Sequence, residues 1–353
     1  MNCISIQWKN FRNLKPQRLA PGEGLHLLYG PNGAGKTNVL EALHVSMGWG
    51  PLDGATGELV NWDRSDRGAL IAAEFRGEEQ VDVTTGLKKG IHVKKNGSVS
   101  TGSSLRTSIP SLVFLPNDLS LVEGSPSVRR KFLDRLCALL FPLYATRLYG
   151  FKRILRQKNF LLKAGKPVHS ANRVMAPLAS WIWSRRMAST DLLAAGMEEQ
   201  RHLLPGPLTV RMALGASGKR DDLLEEFWYS IRLYGSRETE MRTGVVGPHR
   251  DDLLLECRGR NASEQFSRGH RRRVALSLLL AAAAAVETKM RRKPVLLLDE
   301  IMAELDMEGR KRLLESLQLG GWQTFVASAE TEMPRWPGRV WNVRGGTVEP
   351  EEM

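Results

Sequence analysis

Cysteine is scarce in this chain: three in 353 residues, at positions 3, 137 and 257. They lie far apart and form no metal-type pair, so they read as small buried apolar residues in a reducing compartment. Long hydrophobic runs are lacking as well. The longest, Val274 to Val286, is Ala-rich and shorter than the ~20 residues that cross a bilayer, which makes it a buried helix. No secretory leader is expected, because the first residues run straight into a strand pattern with charges at Lys9 and Arg12. Sustained heptads, internal repeats and low-complexity tracts are also missing, which removes long coiled coils and repeat arrays. The expected location is the cytoplasm, with no membrane partner. Acid is in short supply: 38 carboxylates face 51 lysines and arginines, for a net charge of +13. That excess favours a polyanionic partner, bound through phosphate contacts and counterion release.

What is present is a soluble globular composition, 42% hydrophobic and 25% charged, in a chain long enough for one large domain or two ordinary ones. Ile4, Ile6 and Trp8 alternate with polar residues, as in a half-buried strand. Gly24 to Tyr29 reads as a short buried strand that leads into a glycine-rich loop, and Thr37 to Met47 has helical spacing. From Ala69 to Val99, β-rich runs broken by glycines and by Asn96-Gly97 predict an antiparallel meander. From about Pro126 to Leu204 strand signals fade into helical spacing, punctuated by Gly165-Lys-Pro167 and Pro177. Strands are expected near Leu208 to Leu214, at Val295 to Leu298, Gln323 to Ser328 and Val340 to Val343, and a helix from about Arg271 to Lys289.

Three segments carry chemistry. Gly30-Pro31-Asn32-Gly33-Ala34-Gly35-Lys36-Thr37 fits the P-loop pattern at every fixed position and sits between a strand and a helix, the context it needs. Its backbone N–H groups form an anion nest, Lys36 reaches the outer phosphates, and the Thr37 hydroxyl suits Mg²⁺. The second segment is Pro294-Val-Leu-Leu-Leu-Asp299-Glu300, an apolar strand ending in two carboxylates. Asp299 is placed near the magnesium shell, and Glu300 is placed to orient or deprotonate water. The third is Ser267-Arg-Gly269-His-Arg271 at a helix start, where Ser267 and Gly269 offer donors to an anion. Alone, Ser267 is equally an N-cap, and Asp299-Glu300 an ordinary helix lead-in.

In the order P-loop, Ser-x-Gly helix start, carboxylate strand, Glu304-Leu305-Asp306, these segments resemble an ATP-binding-cassette ATPase. More than two hundred residues part the first from the second. The fold class expected is therefore α/β: a P-loop cassette-type head, mixed sheet plus antiparallel meander, with an inserted, mostly helical lobe. The boundaries expected are 1–120, 121–240 and 241–353.

Further strings make the resemblance specific. They are Asn10-Phe-Arg12-Asn13, Asn38-Val-Leu-Glu-Ala42, Phe114-Leu-Pro-Asn-Asp118-Leu119, Gly124-Ser-Pro126 with Arg129-Arg130 and Phe132-Leu-Asp134, Arg156-Gln-Lys-Asn159 and Gly247-Pro-His-Arg-Asp-Asp-Leu253. Over nearly its whole length the chain resembles the RecF family of bacterial recombination mediators. The resemblance implies ATP and Mg²⁺ as ligands, slow DNA-stimulated hydrolysis, and a head-to-tail homodimer in which Ser267 of one copy reaches the nucleotide of the other. It implies nucleotide contacts at Arg12, Asn13 and Asn38, and Asn117 or Asp118 near the metal, with Ser328 as a polar phosphate sensor. It further implies binding to DNA at gaps and at single-strand to double-strand junctions, action with RecR and RecO in loading RecA, and support of replication restart and the SOS response. Other readings of the same motifs are a different cassette ATPase, of SMC, Rad50 or defence type, and a DNA clamp that uses ATP only as an assembly ligand.

Candidate DNA contacts are Lys88, Lys89, Lys94 and Lys95 on the meander, Arg129, Arg130 and Lys131, and Lys152, Arg153 and Arg156. Each taken singly is more often a solvated face. Arg271 to Arg273 stand so near Ser267 that nucleotide or dimer contacts suit them better.

Overall fold

The computed structural model describes residues 1–64, 68–329 and 336–351 and divides the chain into two compact units. One joins Met1–Leu119 to Val286–Met353 and holds the P-loop; the other, Ser120–Ala285, is inserted between those two pieces.

Two six-stranded sheets build the P-loop unit. One runs in the order Thr347–Pro350, Arg339–Arg344, Leu25–Tyr29, Thr324–Ser328, Val295–Asp299, Ser111–Phe114. All its neighbours pair in parallel except the edge strand Thr347–Pro350. Every residue of Val295–Asp299 and Thr324–Ser328 is buried, which is why they read as continuous apolar runs rather than alternating ones. The second sheet is the expected meander, wholly antiparallel: Gln17–Leu19, Asn2–Lys9, Ala69–Arg76, Gln80–Leu87, Ile91–Lys95, Ser98–Ser100. Asn96 and Gly97 both take left-handed backbone, at φ 49° and 79°, as a two-residue hairpin of type I′ requires. In the first long strand a register shift between Cys3 and Ser5 puts Cys3 in the core and leaves Ile4 half-buried.

Between the sheets lies the helix Lys36–Ser46, which meets strands of both. Val39, Leu40, Ala42, Leu43 and Val45 are all buried in one cluster with Phe75, Leu297 and Phe325. A helix packed from both sides is fixed more tightly than one resting on a single layer, so the loop that opens it is rigidly held.

The inserted unit is mostly helical: Pro126–Leu140, Tyr144–Lys163, His169–Glu199 and Leu223–Met241, beside a small sheet of Thr209–Ala213, Asp252–Cys257 and Arg260–Asn261. Pro177, read from sequence as punctuation, lies inside the helix His169–Glu199, because Met175, Ala176, Ala179 and Ile182 around it are buried and packing outweighs one lost hydrogen bond. The second boundary also differs from the expected one. Residues 241–285 group with the inserted unit, since Asp252–Cys257 pairs with Thr209–Ala213 and packs on Pro126–Leu140. The apolar run Val274–Val286 is a fully buried part of the helix Arg268–Met290.

Several of the family-like strings hold the inserted unit together. Arg129 grips Asp252 with two nitrogens at 2.7 and 2.9 Å, and Arg130 donates to the Asp251 carbonyl. Both were candidate DNA contacts, and both are spent inside the fold. Lys158 is buried against Glu238 at 2.6 Å, and Asn159 accepts from the Gly244 N–H. Asp251 is fully buried and accepts from Trp183 Nε1, Gly215 N and Arg186 Nη1. Burial pushes the Asp251 carboxyl up to about 6 against the pull of Arg186. Burial also works against the Arg186 charge, but Asp134, Tyr144 and Asp251 outweigh it and hold the guanidinium above its ordinary value.

Candidate nucleotide site

The P-loop leaves the end of Leu25–Tyr29 and needs its glycines. Gly30, Gly33 and Gly35 have φ of 155°, 77° and 113°. A Cβ on Gly30 would stand 2.1 Å from the Val343 carbonyl oxygen, and one on Gly35 would press Asn13 and Leu14. Only glycine meets both demands, conformational and steric. Asn13 donates to the Gly33 carbonyl at 3.0 Å and accepts from Asn38 at 2.7 Å, so Asn13 and Asn38 are brought together against the loop.

Lys36 is buried, with Nζ donating to the carbonyls of Gly30 and Pro31. Its ammonium also stands 3.3 Å from Glu300 Oε1. Thr37 Oγ1 lies 3.0 Å from both oxygens of Asp299. The carboxylate strand is not next to the P-loop strand: Thr324–Ser328 separates them, and that one-strand offset sets Asp299 at the reach of Thr37. Burial raises the Asp299 carboxyl; the Thr37 hydrogen bond opposes this, the Glu300 charge adds to it and Lys36 resists, for a pKa pushed up to about 6. Glu300 sits in left-handed backbone at φ 50°, an arrangement that costs energy in a non-glycine residue. Its Oε2 accepts from Ala329 N at 3.0 Å, so the carboxylate is aimed rather than loose.

Other expected residues are placed differently. The Arg12 guanidinium is held by Glu41 through Nε and Nη2 at 2.7 and 3.0 Å, which raises its pKa, and it also donates to the Asp53 carbonyl. Its reach toward a nucleotide therefore competes with Glu41. Asp118 is buried, and its Oδ2 accepts from Leu115 N, closing the turn after Ser111–Phe114. Ser328 is buried at the end of the strand beside Tyr29. Among the described residues no cluster of three His, Cys, Asp or Glu could hold a metal on its own. In the inserted unit, Ser267, Arg268 and Gly269 are exposed, and Ser267 Oγ accepts from His270 N at 3.4 Å as a helix cap. Arg271 binds Glu123 and the Phe266 carbonyl within the same unit.

The sequence reading missed one element of the site. The hairpin at Gly345-Gly346, both residues left-handed, lies against the loop: Gly346 N donates to the Ala34 carbonyl and Gly346 O accepts from Lys15 N, both at 2.9 Å. The glycine pair after an apolar strand was its visible signal.

A family model described as an AAA domain matches residues 5–131. The chain is 32% identical to the DNA replication and repair protein RecF of Chlorobium luteolum over 94% of both chains. It is 29% identical to the RecF of Heliobacterium modesticaldum over 99% of both. Among solved structures, a recombination mediator protein RecF bound to ATP, of the RecFOR pathway, superposes with a TM-score of 0.85 at 26% identity, covering 99% of this chain and 97% of that one. An Smc head bound to a domain of ScpA shares the fold alone, with a TM-score of 0.56 at 16% identity. The cassette-type α/β fold is thus shown, and the chain belongs to the RecF family.

Proposed function

We propose that this chain binds Mg·ATP at Gly30–Thr37, hydrolyses it slowly, and uses it to close a head-to-tail homodimer on DNA at gaps and single-strand to double-strand junctions, acting with RecR and RecO to help load RecA. The observation that carries the reading is the meeting of four side chains at one loop: Thr37 on Asp299 at 3.0 Å and Lys36 beside Glu300 at 3.3 Å.

Each residue has a role its surroundings support. The nest and Lys36 hold the phosphates. Glu300, fixed by Ala329 N, orients the attacking water and takes its proton. Thr37 and Asp299 fit a magnesium site: both offer hard oxygens, and among the described residues no lysine or arginine is ion-paired with the buried Asp299 carboxylate. Magnesium, when bound, neutralises charge on the transferring phosphoryl group. Arg12 is assigned to the nucleotide through exchange of Glu41 for a phosphate. Asp118 is left with its turn-closing role. Ser267 and Gly269, exposed at the start of a long helix, supply donors to the nucleotide of a second copy.

The test sizes the protein with and without Mg·ATP and a gapped duplex at two salt concentrations. The reading expects a monomer to become a dimer with ATP, and DNA affinity to fall as salt rises. Dimers indifferent to ATP, or DNA binding indifferent to salt, would count against it.

A further inference from the structure

From Arg135 to Thr190 the chain carries eleven lysines and arginines and not one carboxylate. The structure folds most of this stretch into a helical hairpin, Tyr144–Lys163 followed by the first part of His169–Glu199. Some of the cations are used internally. Lys158 is buried on Glu238, Arg186 joins Asp134 and Asp251, Lys152 stands 4.0 Å from Asp134, and Arg147 and Arg185 lie over the Trp181 ring. Arg153, Arg156, Lys163, Lys166 and Arg173 are exposed, and among the described residues none is paired with a carboxylate. On the same helix Tyr149 and Phe160 are 65% and 68% exposed. They are separated by three turns, so the rings lie on one face roughly 16 Å apart. Arg153 and Arg156 fall between them, and Lys163 follows one turn later.

A solvated basic face would account for the cations, but not for two large rings presented to solvent along the same stripe. We propose that this face binds single-stranded nucleic acid, with bases stacked on Tyr149 and Phe160 and phosphates held by Arg153, Arg156 and Lys163. The inference rests on the reading of the chain as a DNA-binding protein and assigns the single strand a surface. Ring faces suit unpaired bases, because each base offers a π-face whatever its identity. A duplex keeps those faces stacked internally and can use only the cations. An acidic protein would likewise use the cations and ignore the rings.

Anisotropy of a labelled oligothymidylate and of a labelled duplex tests this with the full chain. Tyr149→Ala/Phe160→Ala should weaken oligothymidylate binding by roughly tenfold or more and leave duplex binding unchanged. Tyr149→Phe/Phe160→Tyr should keep both. Arg153→Gln/Arg156→Gln should weaken both and flatten the single-strand salt dependence by about 0.7 for each phosphate no longer neutralised. Unchanged oligothymidylate affinity in the alanine pair would overturn the proposal, as would equal weakening on duplex or equal competition by polyglutamate. Wild-type protein that binds duplex but no single strand would overturn this surface alone. Protein that binds neither would also contradict the DNA-binding reading.

Discussion

Replacing Asp299 by asparagine should make the ligand-free protein more stable while destroying its ATPase activity. Asp299 is 6% exposed, and burial pushes its carboxyl up to about 6. An acid whose folded pKa lies above its unfolded value near 4 binds more protons in the native state across that window. Stability is therefore lost as pH rises from about 4 to about 6, at ~1.4 kcal/mol per unit, for a total on the order of 3 kcal/mol above pH 6. Asparagine keeps an oxygen for the Thr37 hydroxyl and carries no charge to desolvate. Urea denaturation of both proteins in chelator, from pH 4 to 8, reads the difference directly. The two should be nearly equal at pH 4, with Asp299→Asn ahead by up to ~3 kcal/mol at pH 7.5. Asp251 titrates in the same range but is common to both proteins and cancels. A variant that is no more stable at pH 7.5, or whose advantage does not change with pH, would refute the electrostatic account of this strand end.

Glu300→Gln should retain ATP binding yet slow single-turnover hydrolysis by roughly 10² to 10⁴, the usual contribution of a general base, and prolong the ATP-bound dimer; unchanged hydrolysis would remove Glu300 from the chemistry. Lys158→Met should cost about 3–5 kcal/mol in urea denaturation, because it strands the buried Glu238 carboxylate without its cation. Lys158→Met/Glu238→Gln should recover part of that loss, and a double variant as unstable as the single one would contradict the pairing.

Much of the site was legible because its demands are local. Gly30, Gly33 and Gly35 announce a loop that only glycine can form, and an apolar strand ending in Asp299-Glu300 announces buried charge. The Asn96-Gly97 turn gave the meander its register. What depends on distant packing was harder to see. Ser111–Phe114 and Asp252–Cys257 were not anticipated as strands, being defined by partners far along the chain, and Thr347–Pro350 was missed as a four-residue edge strand although its partner precedes it directly. The helix Met307–Gly320 was passed over, because mixed charge obscured its apolar face, and Leu223–Met241 was covered only by the general expectation of a helical lobe. Arg129 and Arg130 looked like surface cations until Asp252 and the Asp251 carbonyl were found opposite them. Arg12 was expected to contact the nucleotide, and nothing in its own string revealed Glu41 as its partner.

The central claim, that one copy's Ser267 completes the P-loop site of another, is tested most directly by mixing two inactive proteins. Lys36→Arg spoils the phosphate-binding half of the site and Ser267→Ala the donor half, so neither homodimer has a complete site. With equal amounts and random exchange, roughly half the dimers are mixed and each holds one intact site, restoring roughly a quarter of wild-type ATPase activity. Activity that stays at the level of the separate variants, or Ser267→Ala protein as active as wild type, would contradict the account.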